Sequence, residues 1–159
     1  MLIVLRGNSG SGKSTVARLL QAELEGPTAN LGQDHFRREV YRESDHDDMA
    51  HAELLELAAV HCLRRGDHVI LEGILSTHRY GEMIERIAAH ATDARFFAFD
   101  LDFDETARRH ATRPLADEFS VDEMREWYHG WQPLDFVEEQ RIGPDESPEH
   151  IVARILGRA

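Results

Sequence analysis

The sequence predicts a three-layer α/β fold in which a parallel β-sheet carries helices on both faces. Three observations point to it. Short apolar runs of strand length alternate with longer stretches of helical periodicity. The runs are apolar at consecutive positions, as in strands buried on both faces. Strands that alternate with helices return in parallel by helical crossovers. With 159 residues, 42% of them hydrophobic, the chain is expected to form one domain over 1–159.

The elements follow in order. Met1 to Leu5 (MLIVL) forms the first strand and stops at Arg6-Gly7. From Lys13 the pattern turns helical, with Val16, Leu19, Leu20 and Leu24 on one face, until Gly26-Pro27 ends it. Thr28 to Leu31 is a weak second strand leading to Gly32-Gln33-Asp34. A short helix over Phe36 to Glu43 and a polar break over Ser44 to Asp48 come next. A longer helix from Asp48 to Arg65 is expected to bury Leu54, Leu55, Ala58, Cys62 and Leu63, and Gly66 suits its C-terminus. His68 to Leu71 is the third strand, ending at Glu72-Gly73. Thr77 to Ala91 is helical, with Met83, Ile84, Ile87 and Ala88 in phase, and Arg95 to Leu101 is the fourth strand. A basic helix over Asp104 to Arg113 is interrupted by Pro114. A helix over Val121 to Trp131 then places Met124, Trp127, Tyr128 and Trp131 in one stripe, expected in the core or, if it sits on a lid, as a platform that stacks on a flat or hydrophobic acceptor. Phe136 to Ile142 holds a short fifth strand. Ser147-Pro148 reads as the N-cap and first-turn proline of a last helix burying Ile151, Val152, Ile155 and Leu156.

Composition narrows the function. Thirty acidic residues against 18 basic ones give net −12, which repels phosphodiester backbones and makes nucleic acid an unlikely partner. One cysteine, Cys62, forms neither an internal disulfide nor a cysteine-rich zinc site. With no long apolar stretch, neither a membrane span nor a secretory signal is expected, and a cytoplasmic location follows. A monomer or homodimer is expected. The ten histidines show no metal-binding spacing, and only His35 and His78 fall near strand ends, where substrate contact is open to them.

One motif has a specific chemical meaning. Gly7-Asn8-Ser9-Gly10-Ser11-Gly12-Lys13-Ser14 fits G-x-x-x-x-G-K-[ST], between a strand and a helix. Glycines let backbone N–H groups wrap a phosphate, and the helix N-terminus favours the anion. Lys13 is the chain's one lysine beside 17 arginines, and a compact ammonium suits the β- and γ-phosphates. The Ser14 hydroxyl is a Mg²⁺ ligand in this arrangement, and Gly7 through Thr15 form the nucleotide-binding segment.

Other residues are candidates by position. Asp34 follows the second strand at the sheet edge that lines ligand crevices, and can deprotonate an acceptor hydroxyl or hold Mg²⁺ through water. Glu72, at the end of the third strand, competes for the same role, with Gly73 allowing close approach of substrate. Arg37 and Arg38 can fork onto an anionic or hydroxylated acceptor. Arg109 and Arg113 share a helical face with Thr106, while Arg108 points elsewhere; on a mobile lid over about 106–131 they would neutralise charge during transfer.

The chain resembles the small P-loop kinases that include chloramphenicol phosphotransferase, zeta-toxin and polynucleotide-kinase-like enzymes, and small bacterial proteins loosely labelled uridine kinases. The likeness rests on Leu5 through Thr15, on Gln33-Asp34 with Arg37-Arg38-Glu39, and on Ile70 through Leu75. It continues with Arg109-His110 through Thr112-Arg113-Pro114, and with Glu118-Phe119 ahead of Met124 and Trp127. It implies ATP, Mg²⁺, a five-stranded sheet ordered 2-3-1-4-5 and a helical lid after strand four. The activity expected is transfer of the γ-phosphoryl group to a hydroxyl of a small molecule: a nucleoside, an antibiotic or a sugar-like metabolite. A nucleotide-dependent switch acting through a protein partner, and a 5′-hydroxyl polynucleotide kinase, are the alternatives.

Overall fold

The computed structural model describes residues 1–43, 49–111 and 120–158. Five strands, β1 (Leu2–Gly7), β2 (Thr28–Gly32), β3 (His68–Gly73), β4 (Ala94–Phe99) and β5 (Gln140–Ile142), form one sheet ordered β2-β3-β1-β4-β5. Every neighbouring pair is parallel. The predicted order and layering are borne out.

Period-two alternation in the strands divides the core. Leu2 and Val4 of β1, with Val69 and Leu71 of β3, face one side. There they meet Leu55, Ala59 and Leu63 of α3 (Ala50–Arg64) and Tyr80, Met83, Ile84 and Ile87 of α4 (Thr77–Ala88). Ile3, Leu5, Ile70, Phe97 and Phe99 face the other side. They pack on Val16, Ala17 and Leu20 of α1 (Lys13–Glu23) and on Ile151, Val152 and Ile155 of α7 (Pro148–Ile155). Each fully buried aliphatic or aromatic side chain contributes roughly 1.5–3 kcal/mol, so the two clusters dominate stability.

Some elements differ from expectation. α3 starts at Ala50, and its buried stripe is His51, Ala52, Leu55, Ala59 and Leu63, with Leu54, Ala58 and Cys62 half-buried. The stripe was predicted from apolar residues alone, and a buried histidine turns it by one position. α2 (Gln33–His35) begins earlier than expected and runs on as a π-helical turn over Phe36–Tyr41. α5 covers Phe103–His110. α6 covers only Val121–Trp127, so Tyr128 and Trp131 leave the helix and Trp131 is exposed. The aromatic stripe is core at Met124 alone, because an extended Tyr128 breaks the helical phase. α7 has its expected cap, with Ser147 Oγ accepting from the His150 N–H at 3.2 Å. Among the described residues no helix is long and apolar enough to cross a membrane.

The register fixes what meets at the carboxyl edge. Leu5 pairs with Glu72, Arg6 with Gly73, and Gly32 with Glu72. The loop after β1, the carboxylate ending β3 and the turn after β2 therefore share one level.

Candidate active site

The phosphate loop occupies residues 7–14, between β1 and the first turn of α1. Gly10 has φ +83, and a Cβ there would lie 2.5 Å from the Thr106 carbonyl oxygen. The backbone of α5 thus rests directly on the loop, which only glycine permits. Gly12, also left-handed, leads into α1, whose N-terminal N–H groups and dipole favour an anion. Lys13 is buried, and its ammonium donates to the Asn8 carbonyl at 2.8 Å and to Ser11 Oγ at 3.3 Å. The cation is folded along the loop, where the terminal phosphates of a nucleotide would lie.

Ser14 and Glu72 meet: the Ser14 hydroxyl donates to Glu72 Oε1 at 2.9 Å. Two oxygens, one anionic, at the foot of the loop are a donor set suited to Mg²⁺, which keeps most of its waters and takes one or two protein oxygens besides phosphate. No group of three or more carboxylates, imidazoles or thiols able to hold a metal occurs among the described residues, as that mode of binding requires none.

Asp34 lies in the first turn of α2, whose N-cap is Gly32, so its carboxylate does not cap the helix. It is exposed, accepts from Arg37 Nη2 at 3.0 Å and lies 3.3 Å from Arg38 Nε. These three side chains line a cavity of about 630 Å³ that also reaches Ser9 of the phosphate loop, His78, Arg79 and Trp127. The structure thus brings Asp34, Arg37, Arg38 and His78, each singled out by its place in the sequence, onto one cavity. His35 faces Glu39 in an exposed pair at 3.2 Å.

Two expectations change. The space a Cβ at Gly73 would take is filled by Gln33, whose Cβ would sit 2.7 Å from it; glycine there admits a neighbouring side chain. Arg109 reaches the loop from α5, but from its backbone side. Its Nη1 donates to the Ser11 carbonyl at 3.0 Å, its Nη2 to the Pro144 carbonyl at 2.7 Å, and its Nε to Glu105 at 2.5 Å. Arg108 turns outward onto the same carboxylate. Hydrogen bonds from Arg108 and then Arg109 lower the Glu105 carboxyl to about 2. Arg113 lies outside the described residues.

Three features escaped the sequence. Asn8 Nδ2 donates to the His129 carbonyl at 2.6 Å and Asn8 Oδ1 accepts the His129 N–H at 3.1 Å, clasping the segment after α6 to the loop. Buried Arg6 pairs with buried Glu139 at 2.7 Å. His51 joins Glu43 through Nδ1 and the Tyr80 hydroxyl through Nε2 at 2.9 Å, and Gln33 Nε2 donates to that hydroxyl at 3.1 Å. The available signal was a polar residue inside an apolar pattern: Arg6 after MLIVL, and His51 ahead of Ala52 and Leu55.

A strand–loop–helix phosphate cradle at the carboxyl edge of a 2-3-1-4-5 parallel sheet defines a protein of the P-loop kinase fold. A family model described as an AAA domain matches residues 2–130, and the chain belongs to that family. A search of curated proteins finds no match. Among solved structures, the Mycobacterium tuberculosis APS kinase CysC in complex with AMPPNP and APS is 22% identical, covers 99% of this chain and 95% of its own, and has a TM-score of 0.69. A gluconokinase from Sinorhizobium meliloti is 18% identical over 98% and 89%, with a TM-score of 0.67. A shikimate kinase from Aquifex aeolicus is 22% identical over 98% and 94%, with a TM-score of 0.58. At these identities the likeness is one of fold.

Proposed function

We propose that the protein is an ATP- and Mg²⁺-dependent phosphotransferase that moves the γ-phosphoryl group to a hydroxyl of a small molecule. The observation that carries the reading is the juxtaposition of the phosphate loop with the cavity beside Asp34, the two sharing Ser9. Kinases with names as different as APS kinase, gluconokinase and shikimate kinase share this fold.

The loop amides and Lys13 bind the β- and γ-phosphates and stabilise charge on the transferred group. Ser14 and Glu72 would hold Mg²⁺, which when bound offsets the negative charge of the phosphates. The acceptor oxygen bonds to the γ-phosphorus as the bond to the β,γ-bridging oxygen breaks, and ADP leaves. Asp34 orients the acceptor hydroxyl and takes its proton. Arg37 and Arg38 steady that carboxylate and face the acceptor. Arg109 fixes the loop through the Ser11 carbonyl, and Arg113 would neutralise charge during transfer. The protein works in the cytoplasm, as a monomer or homodimer.

The test is ADP release from MgATP with and without candidate acceptors, beside Lys13→Ala. Acceptor-dependent release that the variant loses supports the reading. Tight nucleotide binding without turnover for any hydroxylated acceptor sinks it.

A further inference from the structure

Resting on the phosphotransferase reading, we propose that Tyr80 and His51 are positioning residues: they hold both ends of the segment that carries Asp34, Arg37 and Arg38, and so fix where Asp34 meets the acceptor. The segment needs such support. After the three residues of α2 it continues as a π-helical turn over Phe36–Tyr41, and Arg42 then takes a left-handed φ of 54. π-Helical turns are rare and a left-handed arginine is strained, so both persist only where the surroundings impose them. Packing supplies little of that. None of the six residues of the turn is fully buried. Phe36 packs against the core, while Val40 and Tyr41 are exposed.

The two ends are held instead. At the first, Gln33 is buried where Gly73 leaves room for it, and its Nε2 donates to the Tyr80 hydroxyl at 3.1 Å. At the last, the Glu43 carboxylate accepts from His51 Nδ1, and the Glu43 N–H returns to the Arg37 carbonyl at 2.9 Å. Tyr80 and His51 join the ends, with the hydroxyl 2.9 Å from His51 Nε2. A carboxylate only accepts and an amide nitrogen only donates, which orders the chain. With a neutral imidazole protonated on Nδ1, Nε2 accepts from the Tyr80 hydroxyl, whose oxygen accepts from Gln33. Three hydrogen bonds thus run from Gln33 to Glu43 by way of α4 and α3. Those helices pack on the sheet and give the irregular segment a fixed frame. Tyr80 is 4% exposed and His51 2%, so they act through the segment and not on the reacting atoms. Losing one link leaves buried polar groups unsatisfied.

The experiment removes one oxygen and keeps the ring, with Tyr80→Phe. Val152→Ala, in the core on the other face of the sheet, is the control for lost stability. Deuterium exchange of peptides covering 33–43 is compared with the rest of the chain. ADP release from MgATP is measured with the acceptor that the wild type uses fastest, or with water. Tyr80→Phe is expected to exchange roughly 10- to 100-fold faster over 33–43, the scale of one buried hydrogen bond undone, with the sheet unchanged. Its kcat is expected to fall at least tenfold, with KM for ATP within about twofold, because Asp34 moves and the phosphate loop does not. Val152→Ala should lower the melting temperature and do neither. His51→Gln, which keeps a donor and an acceptor, should lie between the wild type and His51→Leu in both readouts. Faster exchange over 33–43 with an unchanged kcat, or an equal loss of kcat in Val152→Ala, overturns the positioning role and leaves the kinase reading standing. If the wild type releases no ADP under any condition, the kinase reading falls and exchange decides the inference: loss of protection confined to 33–43 supports it, and an unchanged or chain-wide pattern refutes it.

Discussion

Ser14 and Glu72 are 58 residues apart in sequence and 2.9 Å apart in space, which separates the duties of the two candidate carboxylates. Glu72 lies with the proposed Mg²⁺ ligand, and Asp34 lies on the cavity wall with two arginines. Glu72→Gln is therefore expected to raise the Mg²⁺ concentration needed for half-maximal rate. Asp34→Asn is expected to lower kcat by roughly 10²–10⁴, the usual weight of a positioned acid–base group, with little change in KM for ATP. Initial rates over a grid of ATP, Mg²⁺ and acceptor concentrations separate the two. If Glu72→Gln depresses kcat at saturating Mg²⁺ while Asp34→Asn does not, the assignments exchange. Lys13→Ala should keep the thermal melt and lose transfer by roughly 10²–10³ or more, as when one preorganised donor to a developing charge is removed. Unchanged turnover would remove the phosphate loop from the chemistry.

Between elements, α5 lies on the phosphate loop so closely that backbone touches backbone. Gly10→Ala adds a Cβ 2.5 Å from the Thr106 carbonyl and sets alanine at φ +83. A loss of roughly 1 kcal/mol or more in stability is expected, with weakened ATP binding, because loop and helix must part. Calorimetric ATP titration and a thermal melt measure both. The same helix carries a pH signature. Glu105 is lowered to about 2 in the fold, against roughly 4.3 in an unfolded chain. Its pairing with Arg108 and Arg109 thus stabilises the fold above the unfolded value and is lost as pH falls through about 4 towards 2. The difference in melting temperature between the wild type and Glu105→Gln should narrow over that window; a constant difference would show that the ion pairs contribute nothing. Strands, helices and the phosphate loop were legible because each is written in local pattern: apolar runs, helical spacing, glycines before a lysine. The clasp of Asn8 on His129 was not, since it spans 121 residues and uses backbone atoms that every residue has. The early end of α6 was not either, because Tyr128 and Trp131 continue a helical spacing that an extended backbone at Tyr128 breaks.

Across the whole molecule, one buried ion pair joins parts of the chain that pattern alone leaves unrelated. Arg6, the last side chain before the phosphate loop, donates to both carboxylate oxygens of Glu139 at 2.7 Å. Its Nε also donates to the Leu75 carbonyl at 3.0 Å, and its Nη2 to Thr77 Oγ1 at 2.7 Å and to the Gln132 carbonyl at 3.1 Å. Glu139 in turn accepts the Leu134 N–H at 3.1 Å. Leu75 holds a left-handed φ of 45 while fully buried, a conformation that costs a branched residue roughly 1–2 kcal/mol. The arginine thus holds the turn between β3 and α4, which bears Ile74 and Ser76 of the cavity beside Asp34, against the segment leading to β5. Removing one partner strands a buried charge. Arg6→Met or Glu139→Leu alone should cost roughly 3–5 kcal/mol, whereas the two together should recover much of it, because paired burial is stabilised mainly against half-removal. Denaturant melts of the three variants close the cycle. Additive losses would show that the two side chains act independently, and the turn carrying that cavity wall would then owe its shape to packing alone.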